Sequence, residues 1–461
     1  MRAALCFLTV LASLGFSHAA VADPAVLAPR EVPINVRPYN GGQISPKHAI
    51  GLVDSQGVRM FRHPTYTGGQ LRNHPVSQAQ YGLLLVNTYR VKNDTWFLDR
   101  AERQGRRIIA TRVVSRGAWW FPYPFDYPLA SNLNYTMRQP WYSAMAQGQA
   151  ISLFVRLAQA TGDASWRTAA NNAFAALRLG FSAAGPWVTH RDGNGRLWLE
   201  EYPNRTPGTS GRVLNGHLFA MYGLWDYWSL TRSAAAAGLF ADAAATVKRY
   251  IRNFRNPGWA SSYGLRGLAP TEKYHTIHVD QLLHMHALTG DATFASMAEG
   301  LQSDFPSPRQ PATILLATGQ HTGIRFGGPT GGAVLGRRLL GLRAGSTAPV
   351  DQRRRIAGQP GFWYHVTAGQ LRDYWVQEVP GVRATLTPVS MVNYLAIRVV
   401  RMAAGRHRVC TATKCRVTRV SSAMRSRVGA IGWIRGERAV RVTTGPVKNK
   451  WLLLSSRTTL H

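Results

Sequence analysis

Thr161-Gly162-Asp163-Ala164-Ser165-Trp166 reads as a joint between two helices. A helical run ends, Gly162 turns the chain, Asp163 caps the next helix, and Trp166 staples the joint from within its first turn. The same design recurs in Lys92-Asn93-Asp94-Thr95-Trp96-Phe97 and in Thr289-Gly290-Asp291-Ala292-Thr293-Phe294. A fourth joint falls near Thr231 to Ala236, between the helix around Phe219 to Trp228 and an Ala-rich helix through Tyr250. The repeat spacing is then roughly 60–70 residues, the length of a helical hairpin with a long loop. Stacked hairpins of this kind predict an (α/α) toroid or an incomplete α/α barrel, with the loops at one end lining a groove.

The pattern changes on either side. Residues 23–75 mix Pro, Gly and short polar runs, and read as an extended N-terminal segment leading into a helical domain over 76–306. Beyond Pro306 the helical spacing fades. Ala312 to Leu316, Ala384 to Leu386, Tyr394 to Val400, Val417 to Val420 and Trp451 to Leu454 read as short strands among Gly and Pro turns. The chain is therefore expected to be multidomain α+β, its helical part followed by a basic, β-rich C-terminal module over 307–461.

Residues 1–22 have the layout of a signal peptide: Arg2, an apolar run from Ala3 to Phe16, and Ala20-Val21-Ala22 as a cleavage site. An uncleaved N-terminal anchor is the alternative. Cleavage predicts a secreted or cell-envelope protein with no membrane span left. It also removes Cys6, leaving Cys410 and Cys415 to close a disulfide across a hairpin turn. A zinc site would need two more ligands, and only His407 lies near.

The 461 residues carry 55 Lys and Arg against 22 Asp and Glu, a formal net charge of +33. Residues 337–461 alone hold 23 basic residues and four acids. Such a surface suits acidic polymers, and Arg matches planar carboxylates. Codon bias producing a solvated basic face is the bland alternative. No phosphate-binding glycine loop, dinucleotide fingerprint or nucleophile elbow is present, so no cofactor is expected. The basic charge could also attract nucleic acid, but no specific nucleic-acid partner is expected.

Three segments carry a resemblance: Trp141-Tyr142-Ser143-Ala144-Met145-Ala146-Gln147-Gly148-Gln149-Ala150-Ile151, Trp198-Leu199-Glu200-Glu201-Tyr202-Pro203, and Tyr274-His275-Thr276-Ile277-His278. In this order they resemble the C-terminal domain of D-glucuronyl C5-epimerases, enzymes of heparan sulfate and heparosan maturation, over roughly residues 118–300. The resemblance implies a helical catalytic domain, an acidic polysaccharide partner and a homodimer as one assembly state. It implies proton transfer by Glu201 and Tyr274, with Tyr202 beside Glu201. Ser262-Tyr263-Gly264-Leu265-Arg266 is similar to a further family block, with Gly264 in place of an Asp. It implies substrate contact by Tyr263 and a carboxylate partner in Arg266. The family's β-domain precedes its helical domain, so the resemblance gives the tail no function.

Epimerisation at C5 of a uronate needs a base on one face, an acid on the other, and a group to absorb charge on the carboxylate oxygens. The residue types above suit those tasks, though an acidic turn such as Glu200-Glu201 can also simply be solvated. Asn215 could bond a sugar hydroxyl or cap a helix. Gln147 and Gln149 could bond sugars or neighbouring backbone, and Tyr142 and Trp198 could stack on sugar rings or fill the core. His275 and His278 could sit in the groove, bind a metal, or pack as a hydrogen-bonded pair; no acid completes a metal motif, so no metal is expected. The expected activity is conversion of D-glucuronate to L-iduronate within a heparosan-like polymer. The alternatives are a polysaccharide lyase, which begins with the same proton removal, and a non-catalytic binding protein.

Overall fold

The computed structural model describes residues 27–44, 51–129, 135–267, 269–306, 309–327 and 333–461. The expected signal peptide lies outside them. No helix among the described residues is long and apolar enough to cross a membrane.

After a short helix, α1 (Pro64–Thr67), four helical hairpins follow among the described residues. They pair α2 (Pro75–Lys92) with α3 (Thr95–Ala110), α4 (Ala144–Thr161) with α5 (Ala164–Leu177), α6 (Leu214–Thr231) with α7 (Ala234–Tyr250), and α8 (Glu272–Thr289) with α9 (Ala292–Asp304). The joints form as their chemistry requires. Carboxylates of Asp94, Asp163 and Asp291 accept from Trp96, Ser165 and Thr293 backbone N–H groups at 3.0, 2.8 and 2.8 Å. Ser233 caps the fourth joint through Ala236 N.

The first helices of the hairpins pack in the order α2-α4-α6-α8, an open arc with the second helices outside. A one-sided apolar stripe would not serve α4, which contacts α2, α3, α5 and α6. Every residue from Ala144 to Leu157 is buried, the polar ones included. Gly148 makes this crossing possible: a Cβ there would stand 2.4 Å from Ala220 Cα on α6.

The loops between hairpins carry three small two-stranded sheets: β1 (Val113–Ser115) with β2 (Ala118–Trp120), β3 (Tyr127–Pro128) with β4 (Thr136–Met137), and β5 (Thr189–Arg191) with β6 (Leu197–Leu199). The N-terminal segment is laced across the helices. Arg30 Nε donates to Ala287 O, Trp225 Nε1 donates to Arg30 O, and Asn87 Nδ2 donates to Asn40 O.

The described residues of the C-terminal part form two seven-stranded antiparallel sheets. The first contains β7 (Ala312–Leu316), β8 (Gly319–Phe326), β9 (Val334–Leu342), β10 (Ser346–Arg354), β11 (Trp363–Val366), β12 (Trp375–Gln377) and β13 (Val382–Ala384), in the order β13-β7-β10-β11-β12-β8-β9. The second contains β14 (Val389–Met402), β15 (Gly405–Cys410), β16 (Cys415–Val420), β17 (Met424–Ile434), β18 (Glu437–Val442), β19 (Trp451–Leu453) and β20 (Thr458–Leu460), in the order β16-β15-β19-β18-β17-β14-β20. Cys410 and Cys415 are disulfide-bonded at the β15–β16 turn. Both α8 and α9 pack on β14, so the second sheet shares the apolar core of the helices.

Candidate active site

The inner helices run the same way, and their first turns meet at one cavity of about 460 Å³. Ser77 of α2, Met145 of α4, Asn215 of α6 and Tyr274 of α8 all line it. Helix N-termini carry partial positive charge, so their convergence favours an anionic group in the space between them.

Glu200 and Glu201 follow directly from β6. Their backbone is pinned by Glu200 N donating to Val188 O at 2.8 Å and by Ala144 N donating to Glu200 O at 2.9 Å. Glu201 then lies against the first turn of α6, where Gly216 has no side chain. A Cβ on Gly216 would stand 2.3 Å from Glu201 Oε2. The segment bearing Tyr263 pairs with the entry to α6 through the antiparallel bridge Val213–Gly264 and the bond from Leu214 N to Tyr263 O. This brings the Tyr263 hydroxyl to donate to Glu201 Oε1 at 3.1 Å, with the Tyr202 hydroxyl 3.3 Å away. The Tyr263 ring packs on that of Tyr274 with centroids 4.1 Å apart. Tyr274 is held by the capped first turn of α8, where its N–H donates to Thr271 Oγ1.

Glu201 is buried, and this pushes its carboxyl up to about 7, against the opposing hydrogen bonds of Tyr202 and Tyr263. Its Oε2 has no hydrogen-bond partner, nor has Asn215 Oδ1, and both residues line the cavity. Glu200 is pushed up to about 8, again by burial, against Arg212 and Arg266. Both phenols titrate above the usual tyrosine range: burial and the neighbouring Glu201 charge raise Tyr263 and Tyr274. The site therefore joins a carboxyl poised near neutrality to phenols that hold their protons, a base beside an acid.

Glu201, Tyr202, Tyr274 and Asn215 line the cavity together, and Tyr263 reaches it through Glu201. The pair Glu200-Glu201 is not a solvated turn, since both are buried. Other residues named as substrate contacts stand elsewhere. Gln147 is fully buried and clamps backbone, accepting from Phe121 N and donating to Trp119 O. Gln149 is fully buried beside Tyr39. Trp198 is a core residue whose Nε1 donates to Asp192 Oδ2 at 3.1 Å. His275 and His278 are buried and tied to Ser261 through its N–H and hydroxyl; burial holds their rings down to about 4 and about 3, hence neutral. Among the described residues no group of three or more His, Cys, Asp or Glu is placed to hold a metal. Arg266 is exposed, and its charge bears on Glu200 and His190 rather than on the Glu201 cavity. Tyr142 lines a neighbouring groove.

Part of the cavity wall comes from a stretch with no motif to reveal it. Phe61, His63, Tyr66 and His74, all from the N-terminal segment, line the cavity with Tyr123, Tyr127 and Trp141. Lys273 also lines it, with its ammonium 5.5 Å from the Tyr274 ring centroid. The only sequence signal for Lys273 was its place next to Tyr274.

Residues 115–303 match the family described as D-glucuronyl C5-epimerase C-terminus. Over 203 residues the chain is 27% identical to the D-glucuronyl C5-epimerase of Caenorhabditis elegans, covering 40% of this chain and 31% of that protein. Over 173 residues it is 25% identical to an uncharacterized protein of Methanocaldococcus jannaschii, covering 37% and 53%. The matches thus span about a third and about half of these relatives. Likeness to solved structures is partial. A sugar epimerase from a ruminal bacterium aligns at TM-score 0.38 and 13% identity, over 52% of this chain and 62% of that one. Unsaturated glucuronyl hydrolase from Streptococcus agalactiae aligns at 0.36 and 11%, over 65% and 66%. The likeness to the D-glucuronyl C5-epimerase C-terminus is thus carried by residues 115–303.

Proposed function

We propose that this chain is a carbohydrate epimerase that inverts C5 of D-glucuronate residues within an acidic, heparosan-like polysaccharide. The arc of hairpins is the working part of an α/α toroid, and its loop end is the substrate groove. One observation carries the reading: Glu201 and Tyr274 line one cavity and are bridged by Tyr263.

The chemistry follows from the protonation states. Glu201, ionised in part near neutral pH, takes the C5 proton. The electron pair left behind delocalises onto the uronate carboxylate. Tyr274 then delivers a proton to the other face of C5. This leaves Glu201 protonated and Tyr274 as phenolate, and Tyr263, which touches both, returns the proton between them. Carboxylates make weak carbon acids, so charge on the enediolate oxygens has to be stabilised. Lys273 and the converging helix N-termini supply that positive potential in place of Arg266.

The deciding experiment is incubation with uronic polymers in deuterated water, with label at C5 read by NMR. Label at a glucuronyl C5 is expected; no label on any uronate of the panel overturns the proposal. An unsaturated, ultraviolet-absorbing product would transfer the same site to a lyase, in which the bond at C4 breaks after the same first step.

A further inference from the structure

Beside the Glu201 cavity lies a wider groove of about 760 Å³. The two share Trp141, and the backbone passes between them, Tyr202 lining the first and Pro203 the second. The Tyr135 hydroxyl donates to Tyr202 O at 2.8 Å and fixes this shared wall. Phe181 lines the groove while 44% exposed, and its ring stands edge-on to Trp187 at 5.4 Å. A large ring held open to solvent against a buried indole is a ready stacking platform. Guanidiniums stand on the same groove: Arg205, and Arg138, whose side chain is 72% exposed while pairing with Asp126 at 2.5 Å. Aromatic faces with exposed guanidiniums match a chain of sugar rings carrying carboxylates.

We propose that this groove binds the sugar residues flanking the reacting uronate. Its ligand is a carboxylated polysaccharide chain, stacked on Phe181, which Trp187 backs, and held through its carboxylates by Arg138 and Arg205. The inference rests on the proposed function, because the groove adjoins the Glu201 cavity at Trp141 and can take the residues next to one seated there.

The test uses the full chain and unsulfated heparosan oligosaccharides of increasing length, with affinity measured by calorimetry. Affinity of the unaltered protein should climb with length until both cavities are filled. In Phe181→Ala combined with Arg205→Ala, the gain from added length should fall by roughly tenfold or more, while affinity for the shortest binding oligosaccharide stays unchanged. Glu201→Gln should keep the full length dependence. Affinity independent of length in the unaltered protein, or an equal loss at every length in the double variant, overturns the groove. Length-dependent binding without C5 exchange would instead sink the epimerase reading and leave the groove standing.

Discussion

Burial holds the Glu201 carboxyl at about 7, and a base works only when ionised. The ionised fraction grows as pH rises through that value. The kcat/KM for C5 exchange should therefore fall by about tenfold for each unit of pH below 7 and level off above it. A pH–rate profile of deuterium uptake that is flat across this range would remove Glu201 as the base. Glu201→Gln should lower exchange by about 10²–10⁴-fold with polymer affinity kept, the usual span for a lost general base. Gly216 is a stricter probe of the same atom. An added methyl would overlap Glu201 Oε2 at 2.3 Å and Glu201 Cβ at 2.6 Å, so the carboxylate has to move. Gly216→Ala should cost about 100-fold in exchange rate with the circular dichroism spectrum unchanged. Normal turnover in that variant would mean that the position of this carboxylate is irrelevant to the reaction. Much of this site was readable from short blocks, since Glu201, Tyr202, Tyr263 and Tyr274 each sit in a segment with a local pattern. Lys273 and the His63–His74 wall were not, because residues reach the cavity there by long-range docking, which leaves no local trace.

Among the elements, the crossing of α4 over α6 sets the distance on which the site depends. Gly148 and Gly223 face each other there, and a Cβ on Gly223 would stand 2.3 Å from Gly148 O. The obstacle in both cases is backbone, which cannot swing aside. Gly148→Ala should destabilise the protein by about 1–3 kcal/mol, the range for overpacking a filled core, and lower the melting temperature accordingly. An unchanged melting curve would show that the helices can separate freely. The stretch around Gly148 also shows how a motif misleads. Gln147 and Gln149 flank the contact and looked like groove residues, yet one clamps backbone and the other is buried with it. Sequence marks that such a Gln is needed, not which neighbour needs it. The helical joints were legible because an Asp cap acts within two residues of itself. The sheets were not: five strands were expected where fourteen form among the described residues. Strand β9 shows why, since Leu335 and Leu339 lie exposed and no apolar-in, polar-out alternation survives.

At the scale of the molecule, the helices and the second sheet are joined by a charge cluster in a chain that has few acids to spare. Glu299 of α9 accepts from the Tyr394 hydroxyl at 2.7 Å, from Arg398 Nη1 on β14 at 2.5 Å and from Arg438 Nη2 on β18 at 2.6 Å. Its carboxylate is buried, as is the Arg398 guanidinium. Removing it would leave two guanidiniums facing one another with no Glu299 carboxylate between them, and one of the two, Arg398, is largely buried. Breaking a buried pair in this way destabilises by about 3–5 kcal/mol, more than the pair itself contributes. The loss falls on the contact between the two parts, because each keeps its own hydrogen-bonded framework of hairpins or sheets. Glu299→Ala should therefore split thermal unfolding into two calorimetric transitions, the lower at a reduced temperature. The double variant Glu299→Met with Arg398→Leu, which removes both buried charges, should recover part of the loss. A single transition at the original temperature in Glu299→Ala would show that apolar packing of α8 and α9 on β14 alone holds the parts together.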